Sequence, residues 1–291
     1  MTPSTPAPTL APARVVAGAP AVARPPRPAR LRDEVKACLL EACALERIAP
    51  GRYGFEVEAA ARIFTATGFL YRYYFRTETH GLELLPRGRL LLAANHGSHA
   101  LAWDGANILS ACLLDATPPR LVHAMADHRL MQLPILGCAA RRIGAVDGRR
   151  ATCIRMLREG AAVLTFPEGT RAHQRRYRDR YRLAPFGHGF VHVALLTQTP
   201  IVPVAVIGCE EEAPLLANPP WLRRLVRTHS APLTPTLVVP LPVRYRIHFG
   251  EPIRLSGTLT TTAVAAGVRT VRDALAGLIA NGLAARRRLF W

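Results

Sequence analysis

The pattern of apolar and polar positions changes near residue 80, from long helical patterns to short apolar runs. Beyond that point, apolar runs of a length that suits a buried strand alternate with patterns of helical spacing. The predicted strands cover 89–94, 120–126, 161–166, 201–207 and 243–249, and the predicted helices cover 103–114, 151–159 and 189–197. Because strands and helices alternate, the sequence predicts an α/β fold with a mixed, largely parallel sheet flanked by helices.

The chain is predicted to have four segments. Residues 1–30 contain eight prolines and eight alanines but almost no large apolar side chains, so we expect a disordered tail. Amphipathic N-terminal helices are predicted over 31–77, the α/β domain over 78–258 and a C-terminal helix over 259–291. The stretch 69–76 interleaves aromatic residues with arginines, which suits the headgroup boundary of a membrane as well as packing on the domain.

Composition adds a large positive charge to this picture. The 38 basic and 20 acidic residues give a formal net charge of +18, and Lys36 is the sole lysine. The charge therefore indicates either an anionic partner, such as a membrane, a phosphorylated molecule or nucleic acid, or an arginine-rich coding bias. Hydrophobic residues at 49% and charged residues at 20% exclude a mostly disordered chain.

The cysteines and the longer-range hydropathy predict a cytoplasmic setting. Six cysteines are scattered without a Cys-x-x-Cys pair, which predicts reduced thiols and neither a disulfide framework nor a zinc site. No run of 18 uninterrupted apolar residues occurs, so we expect no transmembrane helix. The first residues also lack the basic-then-apolar layout of a signal peptide.

A histidine and an aspartate follow the first predicted strand of the domain. His96 comes directly after the strand end, and Asp104 lies near the start of the next predicted helix. Ligands of α/β proteins bind at such strand-to-helix junctions. A histidine held by a carboxylate is a common general base, because the carboxylate fixes the tautomer and stabilises the imidazolium. Taken alone, the pair is also typical of a polar surface loop.

The sequence Phe-Pro-Glu-Gly-Thr-Arg at 166–171 ends another predicted strand. Gly169 lets the backbone come close to a ligand, Thr170 offers a hydroxyl, and Arg171 can bind a phosphate with two hydrogen bonds. One such segment is also typical of an ordinary turn. Two of them, each at the end of a strand, indicate a shared site at one edge of the sheet.

Four motifs, in this order, resemble those of the glycerolipid acyltransferases, the lysophospholipid acyltransferase superfamily. They are the Asn-His…Asp segment at 95–104, Gly-Ala-Val-Asp-Gly-Arg at 144–149, Phe-Pro-Glu-Gly-Thr-Arg at 166–171 and Pro-Ile-Val-Pro-Val-Ala-Val at 200–206. The resemblance covers roughly residues 80–255. It implies the fold of that family and the transfer of a fatty acyl group from a thioester to a hydroxyl of a glycerolipid such as a lysophosphatidic acid.

The first motif departs from the family pattern in its spacing. The family has four residues between the histidine and the aspartate, whereas seven separate His96 from Asp104. His99 has the expected four, so both histidines are candidates for the base. We favour His96, because it keeps the neighbouring Asn95 and the position just after the strand.

The resemblance implies roles for the motif residues. The catalytic candidates are His96 and Asp104, with His99 as the alternative base. The residues expected to bind substrate are Asn95, Ser98, Gly144, Arg149, Pro167, Glu168, Gly169, Thr170 and Arg171. The two arginines are expected to bind the anionic group of the acceptor, and Glu168 to accept hydrogen bonds from acceptor hydroxyls or to orient Arg171. No metal or other cofactor is implied, and acyl-CoA or acyl carrier protein would be the co-substrate.

Two alternatives stay open at this point. Trp-Asp-Gly at 103–105 and Gly-Cys-Glu-Glu at 208–211 resemble the subgroup of monoacylglycerol and diacylglycerol acyltransferases, which favours a neutral, glyco- or amino-lipid acceptor. The arginine-rich segment, residues 171–182, also fits a non-catalytic protein that binds membrane or nucleic acid. Because the segment follows the third motif, we expect it to contact lipid headgroups, with the protein peripheral on the inner face of the membrane and no nucleic-acid partner.

Overall fold

A computed structural model describes residues 28–49, 51–97, 102–215, 221, 239–288 and 290. The α-helices in these ranges are α1 (Pro28–Leu45), α2 (Val57–Phe69), α3 (Trp103–Leu114), α4 (His128–Gln132), α5 (Leu136–Arg142), α6 (Arg150–Arg158), α7 (Gly189–Thr197) and α8 (Thr261–Ala285). The strands are β1 (Glu78–His80), β2 (Leu90–Ala94), β3 (Val122–Ala126), β4 (Val146–Asp147), β5 (Ala162–Thr165), β6 (Ile201–Ile207) and β7 (Arg246–Phe249). The tail predicted over 1–30 lies outside the described residues up to residue 27, and α1 begins at Pro28.

The seven strands form one sheet in the order β1-β7-β6-β2-β5-β3-β4. Neighbouring strands run parallel throughout, except for the antiparallel pair of β6 and β7. The prediction of a mixed, largely parallel sheet flanked by helices is confirmed. The central strands β6, β2 and β5 therefore have their carboxyl ends at the same edge of the sheet.

Two hydrophobic cores lie on opposite faces of the sheet. In β2, Leu90 and Leu92 face the core that contains α1, α2 and α3, while Leu91 and Ala93 face the core that contains α6, α7 and α8. This alternation follows from the two-residue period of a strand. Because both faces are covered, every residue of β2 is buried, which explains why its sequence is a continuous apolar run.

The aromatic end of the second predicted helix packs on the domain. The α-helix ends at Phe69 and continues as one π-helical turn. Tyr71 and Phe75 are buried in the core, and the two terminal guanidinium nitrogens of Arg72 donate to Glu34, each at 2.7 Å. Of the two roles expected for this stretch, packing accounts for these three side chains, and Phe69 stays exposed. None of the described helices is long and apolar enough to cross a membrane.

Candidate active site

Three acidic or basic side chains converge where the central strands end. His96 follows β2, Glu168 follows β5 and Glu210 follows β6, and these strands are direct neighbours in the sheet. Parallel strands bring their carboxyl ends to one edge, where α/β proteins place their ligands. The sheet topology thus assembles a polar site from segments that are far apart in sequence.

The ring of His96 is held by Asp104, as the sequence predicted for a histidine–carboxylate pair. Its Nδ1 lies 2.6 Å from Oδ2 of Asp104, which is in the first turn of α3. Because an ionised carboxylate only accepts hydrogen bonds, Nδ1–H donates, and Nε2 carries the lone pair of the neutral ring. Asp104 also accepts from the backbone N–H of Gly97 at 2.9 Å and of Gly105 at 2.7 Å. Asp104 is fully buried, so its position is fixed.

The surroundings of His96 act on its basicity in opposite directions. Burial is the largest single influence and lowers the pKa of His96, but the charge and the hydrogen bond of Asp104, together with other carboxylates nearby, raise it above its ordinary value of 6.5. The charges of Glu168 and Glu210 raise the pKa of His96 further. The Phe166 ring stacks on the imidazole with 4.3 Å between centroids. A histidine held by a carboxylate in this way suits a general base near neutral pH.

Glu168 lies behind His96 and not beside Arg171. It is fully buried, and its oxygens accept from the backbone N–H of His96 at 3.2 Å and of Ala184 at 2.6 Å. Its ion-pair partner is Arg175. The expectation that Glu168 contacts acceptor hydroxyls or orients Arg171 is therefore corrected, because both carboxylate oxygens are occupied within the protein.

Asn95 also has a structural contact where we expected substrate binding. Its side chain is fully buried and forms two hydrogen bonds with the backbone of Val206. Nδ2 donates to the Val206 carbonyl at 3.0 Å, and Oδ1 accepts from the Val206 N–H at 2.7 Å. The side-chain amide thus continues the pairing of β2 with β6 after the backbone of β2 has left the sheet.

Arg149 and Arg171 are the exposed cations of the motifs. The side chain of Arg149 is 68% exposed, and its Nε lies 2.9 Å from Oδ2 of Asp147. Arg171 is exposed, and its Nε donates to the Pro185 carbonyl at 3.0 Å. Arg149 follows β4, two strands away from β5, which corresponds to roughly 10 Å at the usual strand spacing. Both guanidinium groups are at the carboxyl edge of the sheet and accessible to solvent.

The remaining predicted site residues divide into three groups. Gly144 is buried with φ +82°, and a Cβ there would lie 2.6 Å from Nδ1 of His123, so its role is packing and not the expected substrate contact. Pro167 is buried, whereas Gly169 and Thr170 are exposed at the site edge. Ser98 and His99 lie outside the described residues, so the geometry does not compare His99 with His96.

Arg175 and Glu210 are parts of the site that sequence reasoning did not assign. Arg175 belongs to the arginine-rich segment, which we expected to face lipid headgroups, and Glu210 begins a run of three glutamates after β6. All three glutamates are buried. Several acidic residues directly after a buried strand need cationic partners, and that was the signal available in the sequence. Within the described ranges, no group of three or more acidic, histidine or cysteine side chains is arranged to hold a metal ion.

Comparisons with known proteins bear on the family and the fold of the chain. Residues 76–207 match the family model described as Acyltransferase. An uncharacterized protein of Mycobacterium tuberculosis is 37% identical over 238 residues, which are 77% of this chain and 66% of that protein. The DGAT1/2-independent enzyme synthesizing storage lipids of Gallus gallus is 26% identical over 200 residues, 68% of this chain and 58% of that enzyme. The chain thus spans about two thirds or less of the length of these curated relatives.

A solved structure shows the same fold. The 1-acyl-sn-glycerophosphate (LPA) acyltransferase PlsC from Thermotoga maritima superposes with a TM-score of 0.54 and 15% sequence identity, over 90% of this chain and 100% of that chain. Residues 76–207 therefore match the Acyltransferase family, and the chain has the fold of that solved acyltransferase.

Proposed function

We propose that the protein transfers a fatty acyl group from a thioester donor, acyl-CoA or acyl carrier protein, to a hydroxyl of a glycerolipid such as a lysophosphatidic acid. The observation that carries the proposal is the buried pair of His96 and Asp104 at the carboxyl edge of the sheet, 2.6 Å apart. Burial keeps water away from a reactive thioester, and the fixed carboxylate holds the imidazole in the tautomer that can accept a proton.

His96 would act as a general base without a covalent acyl-enzyme. Nε2 takes the proton of the acceptor hydroxyl while the oxygen attacks the thioester carbonyl. The tetrahedral intermediate then collapses, the C–S bond breaks, and the imidazolium returns the proton to the thiolate. Asp104 stabilises the imidazolium between these two steps. The products are the ester and a free thiol, and the histidine is regenerated.

Arg149 and Arg171 are proposed to bind the acceptor phosphate. A planar guanidinium meets two oxygens of a phosphomonoester at once, and both groups are exposed at the site edge. The Nε of Arg171 is occupied by the Pro185 carbonyl, which orients the guanidinium and keeps its terminal nitrogens for a ligand. This supports a phosphorylated acceptor.

A neutral acceptor is the second candidate. The similar proteins of vertebrates are described as enzymes synthesizing storage lipids, and this chain carries Trp-Asp-Gly at 103–105. The ion pair between Arg149 and Asp147 also offsets one of the two cations proposed for phosphate binding. An acceptor without a phosphate, such as a monoacylglycerol, is compatible with this smaller positive charge.

One assay tests the activity and separates the acceptors. Labelled acyl-CoA and acyl carrier protein are each paired with lysophosphatidic acid, monoacylglycerol and a lyso-glycolipid, and the products are separated by thin-layer chromatography. We expect esterification of lysophosphatidic acid. A product from monoacylglycerol alone would assign the second candidate, and no product from any pair would refute the proposed function.

Variants in the same assay test the base. His96→Ala should lower kcat by about a hundredfold or more, because the general base is lost. His99→Ala should keep most of the activity, and the reverse result would assign the base to His99. His192→Ala, a half-buried histidine on α7, is the matched control and should behave like the wild type.

A further inference from the structure

One arginine of the arginine-rich segment, Arg175, has its side chain in the protein interior. The side chain of Arg175 is 5% exposed, whereas Arg176, Arg178 and Arg182 are exposed. An unpaired guanidinium loses much of its stabilisation when it leaves water, so a buried arginine is paired in nearly every case. The contacts of Arg175 therefore show which groups the buried guanidinium stabilises.

Arg175 contacts the ends of three adjacent strands. Its Nη2 forms an ion pair with Glu168 after β5, and its Nη1 forms one with Glu210 after β6. The same Nη1 also donates to the carbonyl oxygen of His96, after β2, at 3.3 Å. Glu168 in turn accepts from the N–H of His96 at 3.2 Å. Both backbone groups of His96 are thus hydrogen-bonded to this buried cluster of Arg175, Glu168 and Glu210.

On the basis of the proposed function, we propose that Arg175 is a positioning residue that fixes the backbone of His96 and balances the two glutamates behind it. The residue need not touch the substrate. The planar fork of arginine is required, since one group must reach two carboxylates and a carbonyl at the same time. Lysine offers a single charged nitrogen and would keep the charge without the fork.

The charges around His96 predict how the loss of Arg175 changes the pH dependence of activity. The titratable and charged groups that act on His96 or contact it are Asp104 from α3, Glu168 from the end of β5, Glu210 from the end of β6, and Arg175, and Cys209 lies beside the next residue, Gly97. Burial raises the pKa of Glu210 to about 7, and the pKa of His96 is raised in part by Glu168 and Glu210. Removing the arginine leaves these carboxylates unbalanced, so the pKa of His96 rises further. The acid limb of activity then moves to higher pH, because the base is active only when neutral.

Three variants of the full-length protein separate position from charge. Arg175→Met removes the charge at similar size, Arg175→Lys keeps the charge without the fork, and Arg175→Met with Glu210→Gln restores the formal charge of the buried cluster. The matched control is Arg158→Met, at an exposed arginine at the end of α6. The readouts are kcat and KM against pH, thermal unfolding, and the titration of the His96 ring by NMR, assigned with His96→Gln.

We expect Arg175→Met to lower kcat roughly a hundredfold, the scale of a displacement of about 1 Å in an active site. KM should change little, and the acid limb should move up by about one pH unit. The double variant should recover the acid limb but not kcat, and Arg175→Lys should keep the acid limb with a reduced kcat. If Arg175→Met does not fold, the double variant and Arg175→Lys provide the test.

An unchanged kcat and an unchanged His96 titration in folded Arg175 variants would overturn the inference. A rise in KM at constant kcat would also overturn it, because it would place Arg175 in substrate binding. The NMR titration needs no turnover. If the wild type acylates no acceptor, the proposed function fails while the expected shift of His96 still decides whether Arg175 sets its charge environment.

Discussion

At the scale of single residues, Asp104 accepts three hydrogen bonds from a histidine ring and two backbone amides. The amides of Gly97 and Gly105 hold the carboxylate, and the N-terminus of α3 favours its negative charge. The carboxylate is therefore prepared before any substrate binds. Its effect on His96 is both geometric, through the tautomer, and electrostatic, through the raised pKa of His96.

Asp104→Asn separates these effects and gives a pH prediction. We expect kcat to fall roughly 10²- to 10⁴-fold, because the amide no longer enforces the tautomer or stabilises the imidazolium. The carboxylate raises the pKa of His96, so its removal lowers that pKa. Since the base is lost as pH falls through this pKa, the acid limb of kcat/KM should move to lower pH, the opposite of the shift expected for Arg175→Met.

The control for this prediction is Asp115→Asn, which changes the residue that follows α3 at its other end. Its carboxylate accepts from the hydroxyl of Tyr71 and lies away from the sheet edge of the site. This variant should keep the kcat and the acid limb of the wild type. An Asp104→Asn enzyme with wild-type kcat would contradict the general-base mechanism.

Residues of the site differ in how far the sequence predicts them. The pairing of His96 with Asp104 is predicted from the position of His96 directly after the strand and next to Asn95, whereas the spacing alone fits His99. The burial of Arg175 does not follow, because the arginine-rich segment has no apolar periodicity that would distinguish an inward from an outward side chain. Its partner Glu210 is 35 positions away, and only the three-dimensional structure brings them together.

At the scale of secondary structure, the side chain of Asn95 extends the sheet. The backbone pairing of β2 with β6 reaches Ala94 and Val204, and the Asn95 amide then takes the place of a strand backbone opposite Val206. Because the Asn95 side chain forms hydrogen bonds with both backbone groups of Val206, the main chain after β2 can leave the sheet and place His96 at its edge. This explains the need for an amide, which donates and accepts in a planar arrangement.

Replacing Asn95 by leucine tests this role. The buried N–H and C=O of Val206 would lose their partners, so we expect the free energy of unfolding in urea to fall by roughly 2–4 kcal/mol. Asn95→Asp keeps the acceptor for the N–H but offers no donor to the carbonyl, and should also destabilise. A leucine variant with wild-type stability and a raised KM for the acceptor would show a substrate contact instead.

Elements of different length were not equally predictable. The strand predicted over 201–207 and the helices predicted over 103–114 and 189–197 coincide with β6, α3 and α7, because their apolar patterns are long enough to define a period. β1, with three residues, and β4, with two, are too short to show an alternation. The helices α4 and α5 have five and seven residues, and they are likewise too short to show the apolar periodicity of a helix.

At the scale of the whole molecule, exposed arginines cluster near the site edge of the sheet. Arg176, Arg178 and Arg182 of the arginine-rich segment are exposed, and the last two have side-chain exposures of 74% and 81%. We expect these groups to contact anionic headgroups, which would turn the site toward the bilayer. Part of the formal charge of +18 would then lie on the face of the protein that contains the site.

Sedimentation with anionic vesicles tests this placement. We expect binding that weakens as salt is raised, and a roughly hundredfold weaker binding when Arg176, Arg178 and Arg182 are all replaced by glutamine, at about 1 kcal/mol per arginine. The matched control replaces Arg87, Arg89 and Arg158, which are exposed near the amino ends of β2 and β5. This control triple variant should bind like the wild type.

Two outcomes would contradict this orientation. Equal losses of vesicle binding in the two triple variants would mean that the total charge of the protein, and not the arginines near the site, determines membrane binding. Binding that is insensitive to salt would indicate insertion of apolar side chains. A gel shift with DNA at physiological salt, expected to be negative, completes the test.

The place of β7 in the sheet also bears on how the chain is made. β7 lies between β1 and β6, and Tyr74, just ahead of β1, donates a hydrogen bond to Pro240, 166 positions later. During synthesis, β1 therefore has no strand to pair with until residue 246 has left the ribosome. Until then the edge of the fully buried β6 is bare, and such an edge readily pairs with other chains. Synthesis of β7 therefore closes this edge, and β1 and β6 gain their shared partner only when nearly the whole sheet has been made.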